Sequence, residues 1–197
     1  MNSLFETELK KKIMKVSHRC GNQGWCPGTL GNISYFDPKF DRVYIKRSGA
    51  DLNHLELEDI LTLDLNGNVL EGVGLPSKEV KFHLGIYKIR SDIKTVFHIH
   101  PTYATAYAVA GKKLPMATEA AKLVLMDVPL VSSAPSGSKE LARKVTSSFK
   151  DGRIKAVLIA EHGVVVIGEN LKSAYNNVSL VEDTAKVALL SSLIIKS

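Results

Sequence analysis

The sequence predicts a three-layer α/β/α fold built on a largely antiparallel sheet. Three observations carry this. Short β-rich runs at 33–36, 42–46 and 60–65 follow one another closely, which favours antiparallel pairing. Asn66-Gly67 is a strong hairpin turn, with a return strand beginning at Val69 and Leu70. Beyond residue 77, helical stretches alternate with β-rich ones, so helices must pack on the sheet.

The elements follow in order. Apolar Leu4, Leu9, Ile13 and Val16 recur at helical spacing over 4–20. A glycine-rich loop, GNQGWCPGTLGN, spans 21–32 and leads into the β-rich runs. Residues 77–90 read as a helix with Ser77 as its N-cap. Residues 95–100 form a β-rich run, 103–110 a helix and 129–132 a short extended piece. Ser138 caps a helix over 138–149. The apolar run 156–168 is a strand pair or one bent strand, interrupted at Glu161-His162-Gly163, and 170–195 is a long C-terminal helix.

Composition narrows the function classes. The chain has 197 residues, 45% hydrophobic and 23% charged, which suits one globular domain over 1–197 with a substantial core. Two cysteines, Cys20 and Cys26, are too few for a disulfide framework. No run reaches 18 apolar residues, and the start, MNSLFETELKKK, lacks the apolar core of a signal peptide. The expectation is a cytoplasmic protein without membrane contact. The net charge of +6 admits nucleic acid or anionic metabolites, but the basic residues are dispersed. The one dense run, Lys10-Lys11-Lys12, reads as a solvated helix face, so no nucleic-acid partner is expected.

Of six histidines, three stand out. His98 and His100, in TVFHIHP, are two residues apart on an expected strand, so both rings point to one face and can chelate one ion. His162 sits among apolar residues that imply burial, where a polar Glu161-His162 pair needs partners. Three histidines with an open fourth position match a catalytic metal site. His83 lies one helical turn after Glu79 and can support the site from behind.

Glu79, in LPSKEVKFH, opens an expected helix. A carboxylate is favoured there by the helix dipole, and beside a metal it can serve as a base toward a carbon the metal makes acidic. Three further segments offer backbone N–H groups, hydroxyls or a cation in turns: Gly28–Asn32, Arg47–Ala50 and Pro76–Lys78. These are the parts of a phosphate cradle. GTLGN does not open a helix, so the dinucleotide fingerprint is not met.

In this order the segments G-T-x-G-N-x-S, S-G, P-S-x-E, H-x-H-P and a late H-G resemble the class II sugar-phosphate aldolases, the group of L-fuculose-phosphate aldolase and L-ribulose-5-phosphate 4-epimerase. The resemblance runs from about residue 24 to the C-terminal helix. It implies the family's fold, shared with the adducin head, and a homotetramer with active sites at subunit interfaces. It implies one Zn²⁺ per subunit, with Mn²⁺ or Co²⁺ as alternatives, on His98, His100 and His162, with Glu79 as acid/base and as a contact of the resting metal. Gly31, Asn32, Ser48, Gly49, Ser77 and Lys78 match positions that hold the substrate phosphate. The implied reaction is cleavage of a ketose 1-phosphate to dihydroxyacetone phosphate and an aldehyde, through a zinc-stabilised enediolate.

The match has departures. Glu79 favours the aldolases over the epimerases, which carry aspartate there, whereas Lys46 in IKRSG resembles the epimerase loop. Glu119 stands about where the fuculose enzyme has a catalytic tyrosine, and it resembles an acid/base glutamate of the methylthioribulose-phosphate dehydratases. A second catalytic role is therefore assigned to Glu119. An epimerase or dehydratase of the same superfamily is the alternative reading. A non-catalytic module on this fold, like the adducin head, is disfavoured by the three histidines and Glu79.

Overall fold

Eight strands make one sheet in the order β4-β3-β2-β1-β5-β8-β7-β6 in this computed structural model, which describes residues 3–196. The strands are β1 (Asn32–Asp37), β2 (Arg42–Lys46), β3 (Ile60–Leu63), β4 (Val69–Glu71), β5 (Thr95–Ile99), β6 (Leu130–Val131), β7 (Ala156–Ile159) and β8 (Gly163–Gly168). The helices are α1 (Ser3–Asn22), α2 (Val80–Ile89), α3 (Thr102–Val109), α4 (Lys139–Ser148) and α5 (Leu171–Lys196). Every pairing is antiparallel except that of β6 with β7.

Side-chain alternation splits the core into two layers. Phe97, Ile99, Val164 and Val166 face one side with Ile13 of α1, Ala104 of α3 and Val178 of α5. Val96, Val165 and Ile167 face the other with Phe82 and Ile86 of α2 and Leu141 and Val145 of α4. The central strands are buried on both faces and therefore read as continuous apolar runs rather than alternating ones. The three-layer expectation holds.

Local chemistry explains most boundaries. Asp64 makes the β3–β4 turn, its carboxylate accepting from the N–H groups of Asn66 and Asn68 and from the Asn68 amide. That turn ends β3 at Leu63, two residues before the predicted end. Ser138 caps α4 as expected by accepting from Leu141 N–H at 3.0 Å, a bond worth about 1 kcal/mol. Lys11 and Lys12 of the α1 lysine run are exposed, and Lys11 pairs with Glu8 at 2.8 Å, in line with a solvated face. Lys10 departs from that reading, held between Glu6 at 3.1 Å and Glu71 of β4 at 3.4 Å.

The start of α2 corrects the sequence reading. Ser77 does not cap the helix, which begins only at Val80 with Glu79 in the cap position. The reason lies in the sheet. Pro76 bridges to Arg47, and Ser77 N–H donates to Lys46 O at 3.2 Å, so 76–77 are held extended along the end of β2. This delay brings Glu79 over the sheet. Among the described residues, no helix is long and apolar enough to cross a membrane.

Candidate metal centre and active site

The centre forms where β5 ends beside β8. His98 is on β5, on the face that α2 covers, and His100 follows one residue past the strand. His162 lies in the tight β7–β8 turn, where Glu161 takes the left-handed conformation at φ 61°. The three rings converge: centroids of His98 and His100 are 4.8 Å apart, those of His98 and His162 4.7 Å. Their candidate ligand atoms all lie within 4.8 Å of one another.

Glycine makes this approach geometrically feasible. A Cβ on Gly163 would come within 2.7 Å of the His100 ring and 2.8 Å of Ile99 O. Gly31 is left-handed at φ 79°, and a Cβ there would sit 3.0 Å from His98 O. The histidine-glycine pair at 162–163 and the glycine before Asn32 are thus packing requirements of the centre.

The histidine chemistry fits a metal ion. His98 Nδ1 donates to Val164 O at 3.1 Å, which fixes the tautomer and leaves Nε2 with a free lone pair. That Nε2 is buried without a hydrogen bond, as is His100 Nδ1. A buried polar atom without a partner costs about 1–3 kcal/mol. Coordination of a cation would offset that cost at His98. Burial lowers the pKa of His98, and lowers that of His100 to about 3, with the neighbouring histidines adding to the effect at His100. Both rings are therefore neutral at ordinary pH, the form that ligates.

Glu79 faces the cluster from the start of α2. Its Oε2 is 3.1 Å from His98 Nε2 and its Oε1 3.4 Å from His162 Nε2. Asn32 Nδ2 donates to Oε2 at 3.1 Å and Ser136 Oγ to Oε1 at 3.0 Å. Burial pushes this carboxyl up, but attraction to His98 and His162, which acts as protons enter the cluster at low pH, and the two hydrogen bonds outweigh it and hold it below the ordinary carboxylate value. Glu79 is thus an ionised base at neutral pH.

A cleft of about 350 Å³ opens over these groups. Its walls include Gly31, Asn32, Ser48, Gly49, Ser77 and Lys78, so all six residues of the expected phosphate cradle share one cavity with Glu79 and the three histidines. Glu119 is not among them: it is exposed, just ahead of the π-helical turn Ala121–Leu125. The structure does not bring Glu119 to the cleft of its own chain.

Sequence reasoning missed two groups here. Lys46 is buried, and its ammonium donates to Thr29 O at 2.8 Å and Ala50 O at 2.7 Å. It ties the glycine-rich loop to the Ser48-Gly49 loop. In the sequence it stood out only by the likeness of IKRSG to the epimerase loop, which assigned it no contact. Ser136 comes from the turn-rich run SAPSGS, which marks a loop and nothing more. The cysteines take no part, since burial pushes the Cys20 thiol up and that of Cys26 up to about 12.

A buried base beside three convergent histidines, at the floor of a cleft lined with hydroxyls, amides and a lysine, makes a site whose donors suit a metal ion and a small anion. The sequence profile of the class II aldolase and adducin N-terminal domain matches residues 11–189, and the chain belongs to that family as one of its class II aldolase enzymes. It is 32% identical over 175 residues to an L-fuculose phosphate aldolase of Methanococcus maripaludis, covering 89% of this chain and 93% of that protein. It is 34% identical to a 3-oxo-tetronate 4-phosphate decarboxylase of Haemophilus influenzae, covering 95% of this chain and 88% of that one. The solved structure of an L-fuculose 1-phosphate aldolase superposes with a TM-score of 0.88 at 34% identity, over 95% of this chain and 87% of that chain.

Proposed function

We propose that the protein cleaves a ketose 1-phosphate of the L-fuculose 1-phosphate type into dihydroxyacetone phosphate and an aldehyde. The observation that carries this is the joint placement of Glu79, the three histidines and the phosphate-type loops in one cleft. Zinc on His98, His100 and His162, touching Glu79 at rest, would act as a Lewis acid on the substrate's carbonyl and neighbouring hydroxyl oxygens. Imidazole ligands also suit other transition metals, so Mn²⁺ or Co²⁺ are alternatives.

The chain's own groups divide the remaining work. Backbone N–H groups around Gly31 and Gly49, the hydroxyls of Ser48 and Ser77, the Asn32 amide and the Lys78 ammonium hold the phosphate. This fixes which carbon of the sugar lies over Glu79. As the C3–C4 bond breaks, the C4 hydroxyl gives up its proton and becomes the aldehyde; Glu79, ionised at rest, takes up a proton and delivers it to C3, and removes it from C3 in the synthetic direction. The two hydrogen bonds from Asn32 and Ser136 keep its carboxylate aimed while it does so.

Glu119 enters this reading from a neighbouring copy. Its exposure, with exposed Leu123, Val124 and Met126 beside it, fits a face covered in a homotetramer whose clefts lie between subunits. There it would serve the oxygen of the departing aldehyde. The compartment under this reading is the cytoplasm.

The alternative is another sugar-phosphate reaction of the superfamily. It has a specific support in the likeness to a decarboxylase at an identity similar to that for the aldolases. A panel of ketose 1-phosphates, incubated with zinc-loaded enzyme and coupled to detection of dihydroxyacetone phosphate, separates the two. Release from at least one ketose 1-phosphate is the expected result. Carbon dioxide release from a 3-oxo acid phosphate, or an epimerised or dehydrated product, with no dihydroxyacetone phosphate from any substrate, would overturn the proposal.

A further inference from the structure

Behind Glu79 the hydrogen bond from Asn32 continues into a line of further bonds that the chemistry above does not use. Tyr87 Oη lies 2.6 Å from Ser34 Oγ, and Ser34 Oγ lies 2.7 Å from His83 Nδ1. His83 Nε2 lies 2.5 Å from Asn32 Oδ1, and Asn32 Nδ2 lies 3.1 Å from Glu79 Oε2. All five residues are buried. Two periodicities bring them together. Glu79 at the cap of α2 and His83 and Tyr87 within it recur every four residues, and Asn32 and Ser34 every two along β1.

The line has a forced direction. An ionised carboxylate only accepts, so Asn32 turns its NH₂ toward Glu79. Its Oδ1 then faces His83, whose Nε2 must donate. A neutral ring with its proton on Nε2 accepts at Nδ1, so Ser34 donates there and in turn accepts from Tyr87. An asparagine amide is nearly symmetric in shape, and only its partners decide which end faces the carboxylate. With Oδ1 held by His83 and one N–H by Glu79, the second N–H of Asn32 is left for an anion in the cleft that Asn32 lines.

We propose that His83 is a positioning residue whose Nε2–H sets the orientation of the Asn32 amide, and through it the aim of Glu79 and the N–H offered to the substrate phosphate. This rests on the reading of the cleft as a phosphate and metal site. A flipped amide would put its carbonyl oxygen against the Glu79 carboxylate and present nothing to an anion.

Two measurements test this separately. Ring-nitrogen NMR of ¹⁵N-histidine-labelled protein at neutral pH reads the tautomer and needs no substrate. A neutral His83 protonated at Nε2 is expected; protonation at Nδ1, or on both nitrogens, overturns the proposal. The second compares His83→Asn with His83→Gln. A glutamine amide nitrogen reaches the position of imidazole Nε2, and an asparagine one does not. His83→Asn is expected to weaken inorganic phosphate binding and to lower kcat/KM by about 10–100-fold, with metal stoichiometry unchanged, and His83→Gln to recover most of that loss. Equal losses in both variants, tracking a fall in thermal stability, overturn the positioning role. If the wild-type protein binds no phosphate and cleaves no ketose phosphate, the reading of the cleft fails, while the nitrogen shifts still decide the ring assignment.

Discussion

Replacing Glu79 with glutamine is expected to lower turnover by about 10²–10⁴-fold, the range general acid–base catalysis contributes, while the bound metal stays at one equivalent per chain. Glutamine is nearly isosteric and can still accept from Asn32 or Ser136. It has no basic oxygen to take up and return a proton, and no charge to set against a cation on the histidines, 3.1 Å and 3.4 Å from the native carboxylate. Three histidines remain to hold the ion, so metal analysis and rate should part company. Unchanged turnover removes Glu79 from the proton transfer. Loss of the metal together with the rate makes it a ligand first.

His98→Ala is the complementary experiment, and its expected effect is larger. His98 is fully buried, its Nδ1 anchored to Val164 O and its Nε2 aimed into the cluster. Alanine leaves two imidazoles and a carboxylate that no longer converge on a fixed point, and bound metal in the purified protein should fall to background, with activity following. The folded protein also loses what ligand binding adds, about 2.7 kcal/mol when free metal stands at a hundred times Kd. The variant should therefore melt at the temperature of chelator-treated wild type. Full metal content in the purified variant would remove His98 from the site.

Much of this was legible in the residues themselves. The alternation His98-Ile-His100 placed two rings on one side before any fold was known, and the polar break at 161–163 inside an apolar run located the third. What periodicity could not show is how distant segments meet. Ser77 looked like a helix cap because a serine before a helical pattern usually is one; the pairing of Pro76 with Arg47 holds the chain extended and hands the cap position to Glu79. Helical spacing set His83 behind Glu79, but nothing local tells that β1 places Asn32 and Ser34 against its two ring nitrogens. Lys46 matched a loop of the epimerases, and only the packing of two loops around its ammonium makes it a buried tie. Glu119 matched a family position, yet its own chain carries it to the surface.

The central claim is that Glu79 moves a proton at a carbon held over the metal cluster, and this can be measured without knowing the aldehyde. Zinc-loaded enzyme is incubated with dihydroxyacetone phosphate alone in deuterium oxide, and the hydroxymethyl protons are followed by NMR. The account predicts deuterium at that carbon with the wild-type protein and almost none with Glu79→Gln at equal metal content. Exchange at the same rate in both proteins, or none in a wild type that cleaves ketose 1-phosphates, would contradict it.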